Sequence, residues 1–192
     1  MNTESFWAGE FGDQYHSRNQ IDWRARIPFW EDVIDQTGAR SVFEVGAGPG
    51  WNLSAIRELY PRVGLHGCEI NPKGEAQAAM CGINLHRSDA LRALANYTGT
   101  IELVFTAGVL IHVGPDEIEA TMKAIINASA RFVLSVEYES EQVEEVEYRG
   151  HAGKLWRRPF GKMYEAMGLK LVKRWDAGPG FDRCTAVLLE RV

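Results

Sequence analysis

Ser41-Val42-Phe43-Glu44-Val45-Gly46-Ala47-Gly48-Pro49-Gly50 is the stretch that decides how this chain folds. A short run of strand-forming residues leads without interruption into three alternate glycines, and from Asn52 the sequence becomes helix-compatible. That order describes a buried parallel strand whose C-terminal end opens onto the amide end of a helix. Gly46, Gly48 and Gly50 let the backbone turn sharply and approach a ligand more closely than a Cβ would permit. Free N–H groups at the helix start then attract a carboxylate or phosphate. The dinucleotide fingerprint G-x-G-x-x-G is different, because its third glycine falls one position later than Gly50. Glu44, two positions before the first glycine, is also unlike a site crowded with pyrophosphate, and it suits a cationic group instead.

Working outward, 192 residues allow one good core and no obvious second domain. A hydrophobic share of 45% with 24% charged residues is that of an ordinary soluble globular protein. The net charge of −5 argues against a nucleic-acid partner, which is usually met by a basic face. The basic cluster Lys154-Leu155-Trp156-Arg157-Arg158 reads either as the seat of one anionic ligand or as an exposed helix start. Cys68, Cys81 and Cys184 are unevenly spaced, without the pairing or His partners of a zinc site, so no metal is expected. They read as reduced residues of a cytoplasmic protein. Met1-Asn2-Thr3-Glu4 lacks the basic and apolar regions of a signal peptide. No apolar run approaches the ~20 residues of a membrane span.

Short apolar runs alternate with helix-length amphipathic segments, the pattern of a sheet covered on both faces. Strands are expected at 41–45, 64–69, 83–86, 101–106, 131–137, 169–176 and 184–190, and helices at 22–37, 52–60, 73–80, 115–129 and 159–167. The segment 91–96 is long enough for a turn or two only. Between the last two strands lie Ala177-Gly178-Pro179-Gly180 and a few neighbours, far too little for a parallel crossover, so they form an antiparallel hairpin. The chain reads as one domain, 1–192: N-terminal helices at 1–38, a nucleotide-binding core at 39–136, an insertion at 137–160, and a terminal helix and hairpin at 161–192.

The motif E-x-G-x-G-x-G, followed by five helix-linked strands and a closing hairpin, resembles the class I S-adenosylmethionine (SAM)-dependent methyltransferases. The resemblance implies an α/β, Rossmann-like seven-stranded sheet of order 3-2-1-4-5-7-6 with its last strand antiparallel, an N-terminal helical lid, SAM as cofactor and S-adenosylhomocysteine (SAH) as product. Glu44 then meets the methionine amino group, with Gly46, Gly48, Gly50 and Asn52 around it. Glu69 ends the second strand 19 positions after Gly50, where a βαβ unit places a carboxylate against ribose hydroxyls, and Asn71-Pro72 starts the next helix. Asp89 accepts from the adenine amino group, with the Ala90 N–H facing the ring; Asp89 is equally a good helix N-cap. The run 101–113 resembles motif IV of small-molecule methyltransferases, which puts Thr106, Ala107 and Gly108 beneath the sulfonium. It lacks the D/N-P-P-Y signature of amino-directed DNA enzymes. His112 either contacts substrate as a base or caps a turn beside the cofactor.

Phe6-Trp7-Ala8-Gly9-Glu10-Phe11-Gly12-Asp13-Gln14-Tyr15-His16-Ser17-Arg18-Asn19 is too aromatic for a floppy leader. Joined to F-T-x-G-V-L-I-H, Y-R-G-H and K-L-W-R-R, this segment is similar to the pseudaminic-acid-biosynthesis-associated methylase family. Phe11 and Tyr15 share one helix face, as do Tyr15 and Arg18, so the segment suits a lid. An aromatic ring over a sulfonium gains cation–π attraction, and Arg18 would pair with the methionine carboxylate. Trp7 and Asn19 from this segment, and Glu137, Tyr148, Arg149 and Arg157 from the insertion, are candidate substrate contacts. His112, Tyr138 and His151 are candidate bases.

The expected activity is methyl transfer to a small polar metabolite, with a sugar or nucleotide sugar in view, by a monomer or homodimer. Two other readings keep the fold. One is a cyclisation of SAM that releases methylthioadenosine, and the other is a non-catalytic SAM-binding partner.

Overall fold

A computed structural model describes residues 3–192; Met1 and Asn2, the start of the stretch read for a leader, lie outside the described residues. The quoted stretch forms β1 (Ser41–Val45), buried from its second residue onward. Side chains alternate across a strand, so β1 feeds two cores at once. Val42 packs with Trp30 and Val33 of α3 (Ile27–Thr37) and with Leu53 and Ile56 of α4 (Trp51–Leu59). Phe43 and Val45 pack on the opposite face with Ile118 and Met122 of α7 (Ile118–Ala128) and Tyr164 of α8 (Phe160–Ala166). Each large apolar side chain buried this fully contributes about 1.5–3 kcal/mol.

β1 pairs in parallel with β2 (Gly64–Glu69) on one side and β4 (Ile101–Ala107) on the other. With β3 (His86–Arg87), β5 (Ser129–Glu137), β8 (Leu169–Asp176) and β9 (Thr185–Arg191) they make a seven-stranded sheet of order β3-β2-β1-β4-β5-β9-β8. β9 runs antiparallel to both neighbours. This is the expected order, with two strands of the insertion added to the count. The insertion holds a ribbon, β6 (Glu144–Glu145) against β7 (Trp156–Arg157), where only loop was expected. The order reverses between β1 and β4, so the loops leaving those two strands diverge and open a crevice at their C-terminal ends.

Beyond shifts of a few residues at element ends, three segments differ from expectation. The third strand is only His86–Arg87, not 83–86. Ile83 instead donates its N–H to Ala78 O (2.9 Å) and buries itself behind α5 (Pro72–Met80), closing that helix. The helix expected at 22–37 is split into a 3-10 turn, Trp23–Arg26, and α3, because Pro28 lacks an N–H and suits a new helix start. The N-terminal segment is two helices, α1 (Thr3–Ala8) and α2 (Glu10–Arg18), with extended Gly9 between them. Among the described residues no helix is long and apolar enough to cross a membrane.

Candidate functional site

A cavity of about 560 Å³ fills the crevice. Its floor is the glycine loop. Gly46 has φ 65°, and a Cβ there would lie 2.7 Å from a Val109 methyl, so the approach of the two diverging loops requires glycine. Gly50 (φ 74°) caps α4 in the left-handed region and packs on Ala78 and Ile83 behind the cavity. It shapes the loop without lining the site.

Glu44 lines the cavity and is buried. Its Oε1 accepts from Asn52 Nδ2 at 2.6 Å, whereas its Oε2 is buried with no partner among the described residues. Burial dominates its protonation and pushes the carboxyl up to about 8, opposed by the Asn52 hydrogen bond and by Arg26. Asn52 Oδ1 accepts in turn from Trp30 Nε1 (3.1 Å) and Arg26 Nη1 (2.9 Å). Its amide thus holds Glu44 and Arg26 on either side of one wall.

Glu69 and Asp89 lie further along the cavity with Ala90. Glu69 Oε2 accepts from Gly48 N and Oε1 from Asn71 N, both at 2.7 Å, which fixes the strand-end carboxylate against the glycine loop. Burial still raises its pKa. Asp89 caps α6 (Ala90–Asn96) by accepting from Arg92 N (3.0 Å), and its other oxygen meets Arg92 Nε at 3.3 Å. Ala107 and Gly108 complete the floor from the end of β4.

The roof is aromatic. Trp7, Tyr15 and His16 from the N-terminal helices line the cavity with His112 from the turn after β4. The Trp7 and His112 rings lie 4.5 Å apart, and Trp7 Nε1 is buried with no partner among the described residues. His112 Nδ1 lies 2.7 Å from Lys154 O. A carbonyl only accepts, so Nδ1 carries the proton and Nε2 keeps its lone pair. Burial lowers the His112 pKa to about 4, so the ring is neutral near pH 7.

The structure brings Trp7, Tyr15, Glu44, Gly46, Gly48, Asn52, Glu69, Asp89, Ala90, Ala107, Gly108 and His112 together around the cavity. Other candidates stand apart from it. Asn71 caps α5 through its Oδ1, and its Nδ2 donates to Trp7 O (3.0 Å) and Asp13 Oδ1 (2.9 Å), so it ties the roof to the core. Thr106 is buried within β4, one residue before the cavity floor. Phe11 stacks on Phe6 (4.1 Å) and meets Tyr148 and His151 from outside. Arg18 is exposed over the Phe11 and Tyr15 rings, and Asn19 is the C-cap of α2.

Glu137 is fully buried, accepting from the N–H groups of Val109 (3.1 Å), Leu110 (3.1 Å) and Ile111 (3.3 Å). It braces the turn that carries His112 and does not line the cavity. Tyr138 donates its hydroxyl to Asp182, burial with that carboxylate drives the phenol far above its ordinary value, and the residue does not line the cavity. Arg149 and Gly150 both have positive φ between Tyr148 and His151, a tight hairpin turn outside the cavity lining. Exposed His151 rests on Phe6 and Phe11, and exposed Arg157 meets Glu144 at 3.7 Å. Its neighbour Arg158 is the buried one, donating to Leu110 O (3.1 Å).

Arg26, His16, Trp51 and Val109 line the cavity without having been singled out in the sequence. Pro28 was the available signal for Arg26, because a proline two residues on detaches 23–26 from the helix and frees them to turn toward the glycine loop. His16 lies four residues from Gly12 on one face of α2, and Gly12 is the close-contact position of that helix against Trp7 and Asn71.

Among solved structures the fold is similar to that of magnesium protoporphyrin IX methyltransferase from Synechocystis PCC 6803 with bound SAM (TM-score 0.69, 13% identity, covering 100% of this chain and 98% of that one). It is also similar to a sugar N-methyltransferase from Streptoalloteichus sp. ATCC 53650 (TM-score 0.68, 15% identity, 96% and 93% covered). A SAM-dependent methyltransferase from Archaeoglobus fulgidus is a third (TM-score 0.68, 10% identity, 95% and 100% covered). No protein-family model and no curated protein matches the chain. The architecture is the Rossmann-like class I methyltransferase fold.

Proposed function

We propose that the chain is a SAM-dependent methyltransferase acting on a small polar metabolite. The observation that carries this reading is Glu44 Oε2, a buried and unpartnered acceptor facing a glycine-floored cavity. A ligand ammonium draws it into the carboxylate form and pairs with it, whereas a phosphate gains no such pairing. Glu69 and Asp89 lie where ribose hydroxyls and the adenine amino group would be received. When bound, SAM supplies an electrophilic methyl on a good leaving group, so the protein has mainly to position the acceptor and exclude water. Trp7, Tyr15 and His112 do both. His112 Nε2 takes the acceptor's proton; even a base of low pKa suffices, because an oxygen gaining a methyl becomes strongly acidic as the bond forms.

A neutral sugar suits the cavity better than a nucleotide sugar. Arg149 and Arg157 do not line it, and Arg92 is paired with Asp89. The aromatic roof also suits cyclisation of SAM, the second reading. Calorimetry should show binding of SAM and SAH, and mass spectrometry with sugar and amino-sugar acceptors should show SAH and a methylated product. Methylthioadenosine without SAH would establish the cyclase instead; binding with no turnover on any acceptor would establish a non-catalytic partner. No binding of either ligand overturns the assignment.

A further inference from the structure

Trp7 and His112 both line the cavity, and their rings lie 4.5 Å apart with a tilt of 54°. Each residue is held in place from elsewhere. Trp7 O accepts from Asn71 Nδ2 (3.0 Å), and the Tyr15 ring meets the indole nearly at right angles at 5.3 Å. His112 Nδ1 donates to Lys154 O (2.7 Å), and the Tyr148 ring lies 4.9 Å from the imidazole. What the two rings leave over is complementary. Among the described residues Trp7 Nε1 is a buried donor with no partner, and His112 Nε2 is an acceptor with none. A buried donor left unpaired is costly, so a ligand group that accepts from it is favoured. The roof around them carries no charge: burial raises the Tyr15 phenol and lowers His16 to about 4, so both are neutral. Of the cations in the lining, Arg26 is committed to Gly180 O and Asn52 Oδ1, and Arg92 to Asp89. Glu4 and Glu117 line the cavity as exposed carboxylates, which solvent and salt screen.

Two rings in contact bring that donor and that acceptor to one place, and a hydroxyl satisfies both: it accepts from Trp7 Nε1 and donates to His112 Nε2. A carboxylate has no proton for Nε2, and an ammonium has no lone pair for Nε1, so the same pair rejects both. Resting on the methyltransferase reading above, we propose that Trp7 and His112 together read a neutral hydroxyl on the acceptor, so that the reaction is an O-methylation and alkylamines are refused. The acceptor oxygen forms its bond to the methyl carbon as the C–S bond breaks, and the electron pair of that bond stays on sulfur, leaving a neutral thioether. The hydroxyl proton passes to His112 Nε2 and from there to water. The strength of the base favours the same atom. An alkylammonium has a pKa of about 10, so a base near 4 is short by a factor of about 10⁶ in drawing off the proton that masks the nitrogen lone pair. A hydroxyl keeps its lone pairs while protonated and needs a base only as the new bond makes it acidic.

The test gives the full chain SAM isotopically labelled in its methyl carbon, together with a small-metabolite extract of the source cells, and NMR then reports which atom carries the label. A labelled methyl ether is expected. A label on nitrogen, on carbon or in a methyl ester overturns the inference and leaves the transferase reading intact; SAM bound without any labelled product overturns both. With the acceptor isolated from that mixture, Trp7→Phe keeps a flat ring against His112 and loses the N–H. It should lower kcat/KM about 10-fold, with the SAH affinity unchanged. If the indole only packs the roof, the Phe variant keeps its kcat/KM or loses SAH affinity along with it, and either result overturns the inference. The indole N–H resonance of Trp7 gives a readout independent of turnover: it should shift when the acceptor joins the SAH complex. Assigned through its contacts with the His112 ring, it also serves if the variant fails to fold, and a resonance that does not move overturns the pairing.

Discussion

Glu44 is where one side chain carries a measurable consequence. Burial holds its carboxyl near 8, so at pH 7 most of the free protein carries a proton there. An ammonium seated beside Oε2 favours the carboxylate and lowers that pKa. Binding of SAH at pH 7 should therefore release most of one proton, and at pH 9 almost none. Calorimetry in buffers of different ionisation enthalpy reads this directly, and a heat independent of buffer at pH 7 would exclude Glu44 as the ammonium partner. His112 gives a second test: replacing it with Ala should lower kcat about 10²- to 10⁴-fold once an acceptor is in hand, with the SAH affinity changed far less. Glu44, Glu69 and Asp89 were legible in sequence because each closes a strand at a fixed distance from the glycines. Arg26 was not, because nothing in the sequence sets it apart from Arg18 or Arg24 until Pro28 is seen to start a new helix and leave 23–26 as a separate turn.

The insertion and the turn after β4 behave as one element. The Glu137 carboxylate takes three backbone N–H groups of that turn, Arg158 donates to its Leu110 carbonyl, and Lys154 O fixes the His112 ring. Glu137→Gln keeps one acceptor oxygen for two of the N–H groups and turns an NH₂ toward the third. One buried donor left unpaired costs about 1–3 kcal/mol, so urea denaturation should show a loss of that order. Glu137→Ala, which also strips the buried Arg158 of its neighbouring charge, should cost about 3–5 kcal/mol. Equal stability of all three proteins would mean that the turn holds itself. Sequence reading assigned Glu137, Tyr148 and Arg149 to substrate because they follow a strand end in a long loop, where ligands often bind; of the three, Tyr148 stands against the roof, its ring 4.9 Å from that of His112. It could not show that the loop folds back as a ribbon, since two-residue strands leave no periodicity to detect. The longer strands of the main sheet were legible for the opposite reason, since each carries enough apolar positions to show a pattern, whereas the two-residue third strand, His86–Arg87, was expected at 83–86.

At the scale of the whole molecule, the buried ionisable groups set how stability follows pH. His16 and His112 are lowered from 6.5 to about 4, so between those values the unfolded chain binds protons that the folded chain refuses. Stability from these two rises with pH up to about 6.5. Glu44 and Glu137 are raised from 4.5 to about 8 and about 7, so the folded chain keeps protons that the unfolded chain has lost. Their contribution has the opposite sign and falls as pH rises from 4.5 through those folded values, with buried Glu69 adding in the same sense. Between pH 4.5 and 6.5 the two histidines oppose the three carboxyls and offset most of their effect. Above 6.5 only the carboxyls remain. The melting temperature should therefore vary little across the lower interval and decline between pH 6.5 and 8. Glu44→Gln has no proton to lose and should flatten the upper part of that decline. Saturating SAH should flatten it too, because the ligand's ammonium then compensates the charge that burial penalises. Differential scanning calorimetry across pH 4.5–8.5 checks all three curves, and a melting temperature that climbs above pH 6.5 would mean that Glu44 and Glu137 are already ionised in the free fold.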